Sequence, residues 1–491
     1  MMTMAFLQGP ARPLRMAGPV FLSLASVLQN HMVIQQNKPF KVWGKAPAGT
    51  SVEIRADWMR SPVTVTADPS DAFLGIIDVP AVLPGDYRTH TLTITCGDQT
   101  RSLTDVLIGE VWFCSGQSNM QFSMKTVLDS TAEIAAANYP NIRLFNTDLN
   151  FSDHPLENVK GNWVACSPET VARFSAVAYY FGRRLARTLD VPVGIIFSGI
   201  GASAAQAYVP QAALAADTQL NRVYLQPYLE SPRSKEKIDG GFTFEKVTRP
   251  FLLYNAIIHP FLNLSIRGIC WYQGESNRME RESYTRLTQT MISRWRQDFG
   301  QGDLPFYYVQ VAPFFYDKAD STLADYAFFR EAQERISSLD HTAMVITMDV
   351  GESKNLHPIN KKPVGERLAA TALNREYGMP DIVYRGPEYQ CMEVRGREAI
   401  IRFEEGTVSG GLTTKDGQAP AFFTMAGEDH VFYPAQAEIQ GDQVIVRSSK
   451  VRKPVAVRYA FTNYPVTNLE NGAGWPVVPF RTDDWAENVI K

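Results

Sequence analysis

Long apolar runs are missing from this sequence: nowhere do the roughly 20 uninterrupted apolar residues of a bilayer-crossing helix occur, and no membrane span is expected. Cysteine is scarce. The five cysteines, Cys96, Cys114, Cys166, Cys270 and Cys391, lack the CxxC spacing of a zinc site or redox pair, and an odd number leaves at least one unpaired. Neither a metal site nor a disulfide framework is therefore expected, and the reading calls for no cofactor. No charge sign dominates either. With 48 basic and 51 acidic residues the formal net charge is -3, so the cationic footprint that a phosphate backbone requires is absent and nucleic acid is excluded as a partner. Residues 1–19 contain Arg and Pro but no continuous apolar segment; they read as a leader remnant or appended segment rather than an intact signal peptide.

What is present suits a folded, multidomain enzyme or binding protein. At 491 residues, 45% hydrophobic and 20% charged, the chain can bury two or three cores. Residues 20–105 carry short strand-like runs separated by Pro-Ala-Gly and Pro-Gly-Asp turns, which predicts a β-sandwich-like domain. From 106 to 380 the rhythm changes, because apolar strands now alternate with helical patterns, as in an α/β layer with a parallel sheet. The strands are expected at Glu110–Cys114, Ile142–Phe145, Val193–Phe197, Gly268–Tyr272, Phe306–Val311 and Ala343–Met348, and helices at Val171–Leu189 and Ser283–Phe299. Within this block, the polar stretch 211–248 reads as a surface excursion able to form a substrate rim. Strand patterns return in 381–491 as a C-terminal β region.

Four features fall at ends of these strands, where parallel α/β sheets open a ligand crevice. In the first, Val111-Trp-Phe-Cys-Ser-Gly-Gln-Ser-Asn-Met, Gly116 permits a sharp turn that presents Ser118 as a candidate nucleophile whose amide can face a developing oxyanion. Alone, such a turn is also what a helix cap looks like. The second places Gln273, Glu275 and Asn277 after Gly268–Tyr272; side-chain amides there can donate to a transition-state oxygen, or only satisfy their own turn. In the third, the loop Asp349-Val-Gly-Glu-Ser-Lys-Asn-Leu-His contains His357, whose imidazole titrates near neutrality and can take the proton of Ser118. The neighbouring Lys361 and Lys362 read as a solvated helix start. The fourth is Gly201, whose amide can join the oxyanion site or whose lack of a side chain can serve close packing.

At these residues the sequence resembles the sialate O-acetylesterase family, a branch of the SGNH hydrolases with a flavodoxin-like catalytic layer. The matching text is Gly116-Gln-Ser-Asn-Met, Trp271-Tyr-Gln-Gly-Glu-Ser-Asn, His357-Pro-Ile-Asn-Lys and the Phe422 to Ala435 stretch with Ala426-Gly-Glu-Asp. The resemblance implies Ser118 as nucleophile, His357 as base, and an oxyanion or substrate-binding region made of Gly201 with Gln273, Glu275 and Asn277. SGNH enzymes commonly place an aspartate a few residues before the histidine, whereas Lys354 and Asn355 stand here. Asp349, Glu352 and Asn355 remain candidates for the third member, with a Ser-His dyad as the alternative.

The function implied is hydrolysis of acetyl esters on sugars, either sialic acid bearing 9-O-acetyl groups or an acetylated plant polysaccharide such as xylan. The contrasting reading is a non-catalytic glycan-binding protein that keeps the fold; a peptidase using the same pair is a third. The partner is an acetylated sugar or glycan, no oligomeric state is assigned, and family analogy points to the periplasm or the cell exterior. Trp271, Tyr272 and Phe122 are aromatic candidates to border the cleft, each with a core role as the alternative.

Overall fold

Strands buried on both faces read as continuous apolar runs, and every residue of Val193–Phe197 and of Gly268–Tyr272 is buried in the computed structural model, which describes residues 21–316 and 324–486. The expected leader, residues 1–19, lies outside the described residues. These two strands flank the carboxyl half of an 18-residue strand, Gln99–Gly116, in parallel register. The sheet extends on one side through Tyr139–Thr147 and on the other through Phe306–Val309 and Thr342–Val345, all parallel, while Gly161–Cys166 closes the first edge antiparallel. All six expected α/β strands lie in this mixed sheet, although Glu110–Cys114 is only the end of a much longer element.

Helices cover both faces. On one, Ala176–Leu189 and Lys362–Glu376 approach so closely that a β-carbon on Gly365 would lie 2.6 Å from both Tyr180 Cβ and the Val177 carbonyl oxygen. On the other, Glu282–Phe299 sets Trp295 against Phe113, Trp271 and Phe306, with ring centroids 6.1, 5.9 and 6.3 Å apart. Successive strand residues point to opposite faces, so Trp112 instead packs on Phe181 and Tyr307. The expected helix Val171–Leu189 is split, because Ser175 caps the second piece by accepting from the Ala178 amide at 3.1 Å.

The amino-terminal half of Gln99–Gly116 belongs to the first β region, where it pairs antiparallel with His90–Cys96, which in turn pairs with Ser51–Ala56. A smaller sheet of Ser23–Leu24, Phe40–Lys45 and Ala72–Ile77 packs on it, Gly75 leaving room for the Ile54 side chain. The expected division at 105/106 thus falls inside one strand. Asp105 turns there with φ 52°, and the Arg143 guanidinium holds both its carboxylate oxygens at 2.6 and 3.0 Å.

Residues 211–248 form helical turns, among them Gln211–Ala216, Thr218–Leu220 and Gln226–Glu230, and no strand. The segment does more than cover the surface, since Leu214, Leu220, Leu225 and Val247 enter the core. The C-terminal region is a seven-stranded sheet with a two-stranded companion. It docks on the helix Asp325–Glu334 through the Arg481–Glu331 pair, at 2.8 and 3.0 Å, and through Asn463, which donates to Asp325 at 2.7 Å. Among the described residues no helix is long and apolar enough to cross a membrane.

Candidate active site

The parallel strands end on one side of the sheet, and the loops that leave them build the site. Gly116 has φ 141°, and a β-carbon there would stand 2.1 Å from the Tyr272 carbonyl oxygen, so only glycine fits. The Gln117 amide donates to that same oxygen at 3.0 Å. The Gln117 side-chain oxygen meanwhile accepts from the Gly274 and Ser276 amides at 3.2 and 3.4 Å, tying this turn to the one after the next strand. The chain then enters the single helical turn Ser118–Gln121, with Asn119 and Met120 buried and Ser118 partly exposed.

His357 arrives from the loop after Thr342–Val345. Its amide donates to Asn355 Oδ1 at 3.0 Å, Asn355 Nδ2 donates to Glu352 at 3.2 Å, and Glu352 also accepts from the Ile359 amide at 2.7 Å. The loop so pinned puts His357 Nε2 2.8 Å from Ser118 Oγ, with the Phe122 ring stacked at 6.4 Å and 26°. Burial, and secondarily the cation of Lys361, hold the imidazole below its ordinary pKa. The ring is therefore neutral, and able to accept a proton, to lower pH than a free histidine.

Of the three candidates for a third member, none touches the imidazole. Asp349 is held by Arg367 in a bidentate pair at 2.7 and 2.6 Å, and Glu352 and Asn355 spend their groups on the loop backbone and on each other. Among the described residues no protein group is hydrogen-bonded to His357 Nδ1.

Gly201 stands beside Ser118: a β-carbon on it would be 3.5 Å from Ser118 Cβ. Its amide donates to Gln121 Oε1 at 2.8 Å. The other residues expected at the oxyanion face elsewhere. Gln273 is fully buried, its Nε2 donating to the Ser203 carbonyl at 3.1 Å and to Asn277 Oδ1 at 2.7 Å. Asn277 Oδ1 also accepts from the Ala205 amide at 2.9 Å, and its Nδ2 donates to Gln206 and Glu280 at 3.0 and 2.7 Å. These two amides hold the loop that carries Gly201 rather than pointing at Ser118, because the buried backbone of Ser203 to Gln206 needs partners. Glu275 is buried beneath the Ser118 turn, accepting from Asn119 Nδ2 at 2.6 Å, and its desolvated carboxyl is raised above the usual range.

Lys361 corrects its sequence reading most sharply. It is 1% exposed, and its ammonium donates to Asn119 Oδ1, whereas Lys362 stays half exposed and reaches Glu133 at 3.0 Å. Trp271 and Tyr272 are core residues, each 1% exposed, and of the three candidate aromatics only Phe122 borders the pair. Among the described residues, no three His, Cys, Asp or Glu side chains are grouped to hold a metal ion.

Comparison with known proteins fixes the class. The family model that matches residues 108–374 is described as carbohydrate esterase, sialic acid-specific acetylesterase, which makes this protein an enzyme of the carbohydrate esterase class. With more than half of the chain inside that match, it belongs to the sialic acid-specific acetylesterase family. It is similar over 93% of its length to the sialate O-acetylesterase of Rattus norvegicus, at 27% identity and 92% of that protein, and over 90% to the Homo sapiens one, at 26% identity and 88%. A crystal structure of a carbohydrate acetylesterase from Xanthomonas citri superposes with a TM-score of 0.83 at 32% identity, covering 94% of this chain and all of that one. The protein is a carbohydrate O-acetylesterase.

Proposed function

We propose that the enzyme removes acetyl groups from sugar hydroxyls through Ser118 and His357 acting as a dyad. The observation that supports this reading is the 2.8 Å contact between Ser118 Oγ and His357 Nε2 at the carboxyl ends of the parallel strands. His357 Nε2 takes the serine proton as Oγ attacks the acetyl carbonyl. The resulting oxyanion is met by the Ser118 amide and by the Gly201 amide once Gln121 Oε1 leaves it. The imidazolium then returns its proton to the departing sugar oxygen. Water, deprotonated by the same nitrogen, attacks the acetyl-enzyme and releases acetate.

The catalytic layer is read as a flavodoxin-like SGNH hydrolase sheet, on its parallel strands and helices on both faces. The names of the curated relatives favour an acetylated sialic acid as substrate over acetylated xylan, and family analogy favours the periplasm or cell exterior. The serine-histidine contact disfavours the non-catalytic glycan-binding reading. Hydrolysis of a chromogenic acetyl ester and of acetylated sialic acids and xylo-oligosaccharides, measured beside Ser118→Ala and His357→Ala, tests the mechanism and the substrate. Both variants should lose at least about 10^3 of the rate. An undiminished Ser118→Ala enzyme rules the mechanism out, and the preferred sugar decides the substrate.

A further inference from the structure

A buried lysine next to a general base is an expensive arrangement, since an unpaired ammonium is strongly disfavoured away from water. Among the described residues no carboxylate lies within ion-pair distance of Lys361. Its Nζ bonds instead to Asn119 Oδ1 and lies 4.8 Å from the Phe122 ring centroid and 5.8 Å from that of Tyr272. Asn119 follows the nucleophile directly, and its Nδ2 donates to Glu275 at 2.6 Å and to the carbonyl of Leu356, the residue before His357, at 3.1 Å. One side-chain amide therefore joins a buried anion, a buried cation and the backbone of the histidine loop, and the cation fixes which way that amide faces.

We propose that Lys361 is a positioning residue of the esterase site, which orients Asn119 so that the His357 loop is held at Ser118 and which disfavours a second positive charge on the His357 imidazole. The inference rests on the Ser118–His357 reading above. In a serine hydrolase with an aspartate on Nδ1 the imidazole is oriented by an anion that also stabilises its protonated form. Among the described residues orientation here comes from the backbone side, and the Lys361 cation acts in the opposite sense. The charged and titratable groups that face Lys361 are Glu275 and Tyr272 from the fourth parallel strand and its turn, and Glu352 and His357 from its own loop. Burial pushes Lys361 down to about 7 against the pull of Glu275 and Glu352. Below that pH the lysine carries its charge, which covers the range in which a free imidazole, near 6.5, would take up a proton.

The test is the pH profile of kcat/KM on a soluble chromogenic acetyl ester. The unaltered enzyme should have an acid limb below about 6.5. Lys361→Met, which keeps the volume against Phe122 and Tyr272, should lower the plateau and move the acid limb up by about half a pH unit or more. A lysine with a purely structural role would lower the plateau alone, so an unmoved limb in a folded variant overturns the proposal. Should loss of the cation that offsets the buried Glu275 carboxylate prevent folding, Lys361→Met with Glu275→Gln removes both charges, and the same upward movement is expected. Failure of the underlying mechanism is distinguishable, because it appears as a His357→Ala enzyme of undiminished rate.

Discussion

Gly116 lies directly beneath the carbonyl of Tyr272, and the absence of a side chain on the first is what lets the second accept from the Gln117 amide at 3.0 Å. The turn that presents Ser118 is thus moulded on the neighbouring strand. Gly116→Ala meets both a positive φ and a 2.1 Å clash with backbone, which costs about 3 kcal/mol or more. Thermal denaturation should show a drop of that size together with loss of esterase rate; a variant of parental stability would contradict the geometry.

Asp349 provides a direct check on the proposed dyad. Because its carboxylate is committed to Arg367 at 2.7 and 2.6 Å, Asp349→Asn should destabilise the fold by about 1–3 kcal/mol. The rate should stay within about tenfold of the parent, far from the roughly 10^4 that losing a triad aspartate costs. Denaturant unfolding and kcat, measured on the same preparation, read the two effects separately.

Gln121 Oε1 accepts from the Gly201 amide, the donor that the proposed mechanism assigns to the oxyanion. Replacing it with alanine frees that donor, so kcat for Gln121→Ala should equal or exceed the parental value. Gly201→Ala should lower kcat by about 10–100-fold with little change in melting temperature, since the added carbon meets the exposed Gln121 side chain at 3.2 Å and Ser118 Cβ at 3.5 Å. A Gln121→Ala enzyme slowed as severely as Gly201→Ala would show that the glutamine supports the site instead of masking it.

Stability should fall as pH rises from 4.5 to about 7, on account of Glu334. This residue lines a cavity of about 270 Å³ between the sheet edge and the C-terminal region, with Arg375, Arg385 and Glu388. Burial, then Glu388 and Glu331, push its carboxyl up from 4.5 to about 7. Below 4.5 both folded and unfolded chains hold the proton and nothing is lost; between 4.5 and 7 only the unfolded chain gives it up, and above 7 the full penalty applies. Glu334→Gln should therefore raise the melting temperature at pH 8, by about 2 kcal/mol in stability, and leave it unchanged at pH 4. Equal effects at both values would contradict this.

The parallel strands were legible because burial on two faces leaves only apolar residues in them, as in Val193–Phe197. Ser118 and His357 were legible as polar residues at strand ends, although nothing local says that they meet across 239 positions. The direction of Gln273 and Asn277 was not legible, because a turn amide points wherever the deepest unpaired backbone lies, and here that is Ser203 to Gln206. Lys361 beside Lys362 looks solvated until its partner, Asn119, comes into reach from 242 positions away. The full length of Gln99–Gly116 was hidden by Thr, Arg, Ser and Asp in its first half, which faces a different sheet from the second.

That strand carries a mechanical consequence. Its beginning is a rung of the first β region and its last residue is the pivot before Ser118, with Arg143 locking the bend between them. The leading β unit and the hydrolytic layer share a spine instead of a hinge. Cutting the chain between them would pull away the rod on which Ser118 is mounted, so neither half should be obtainable as a working fragment.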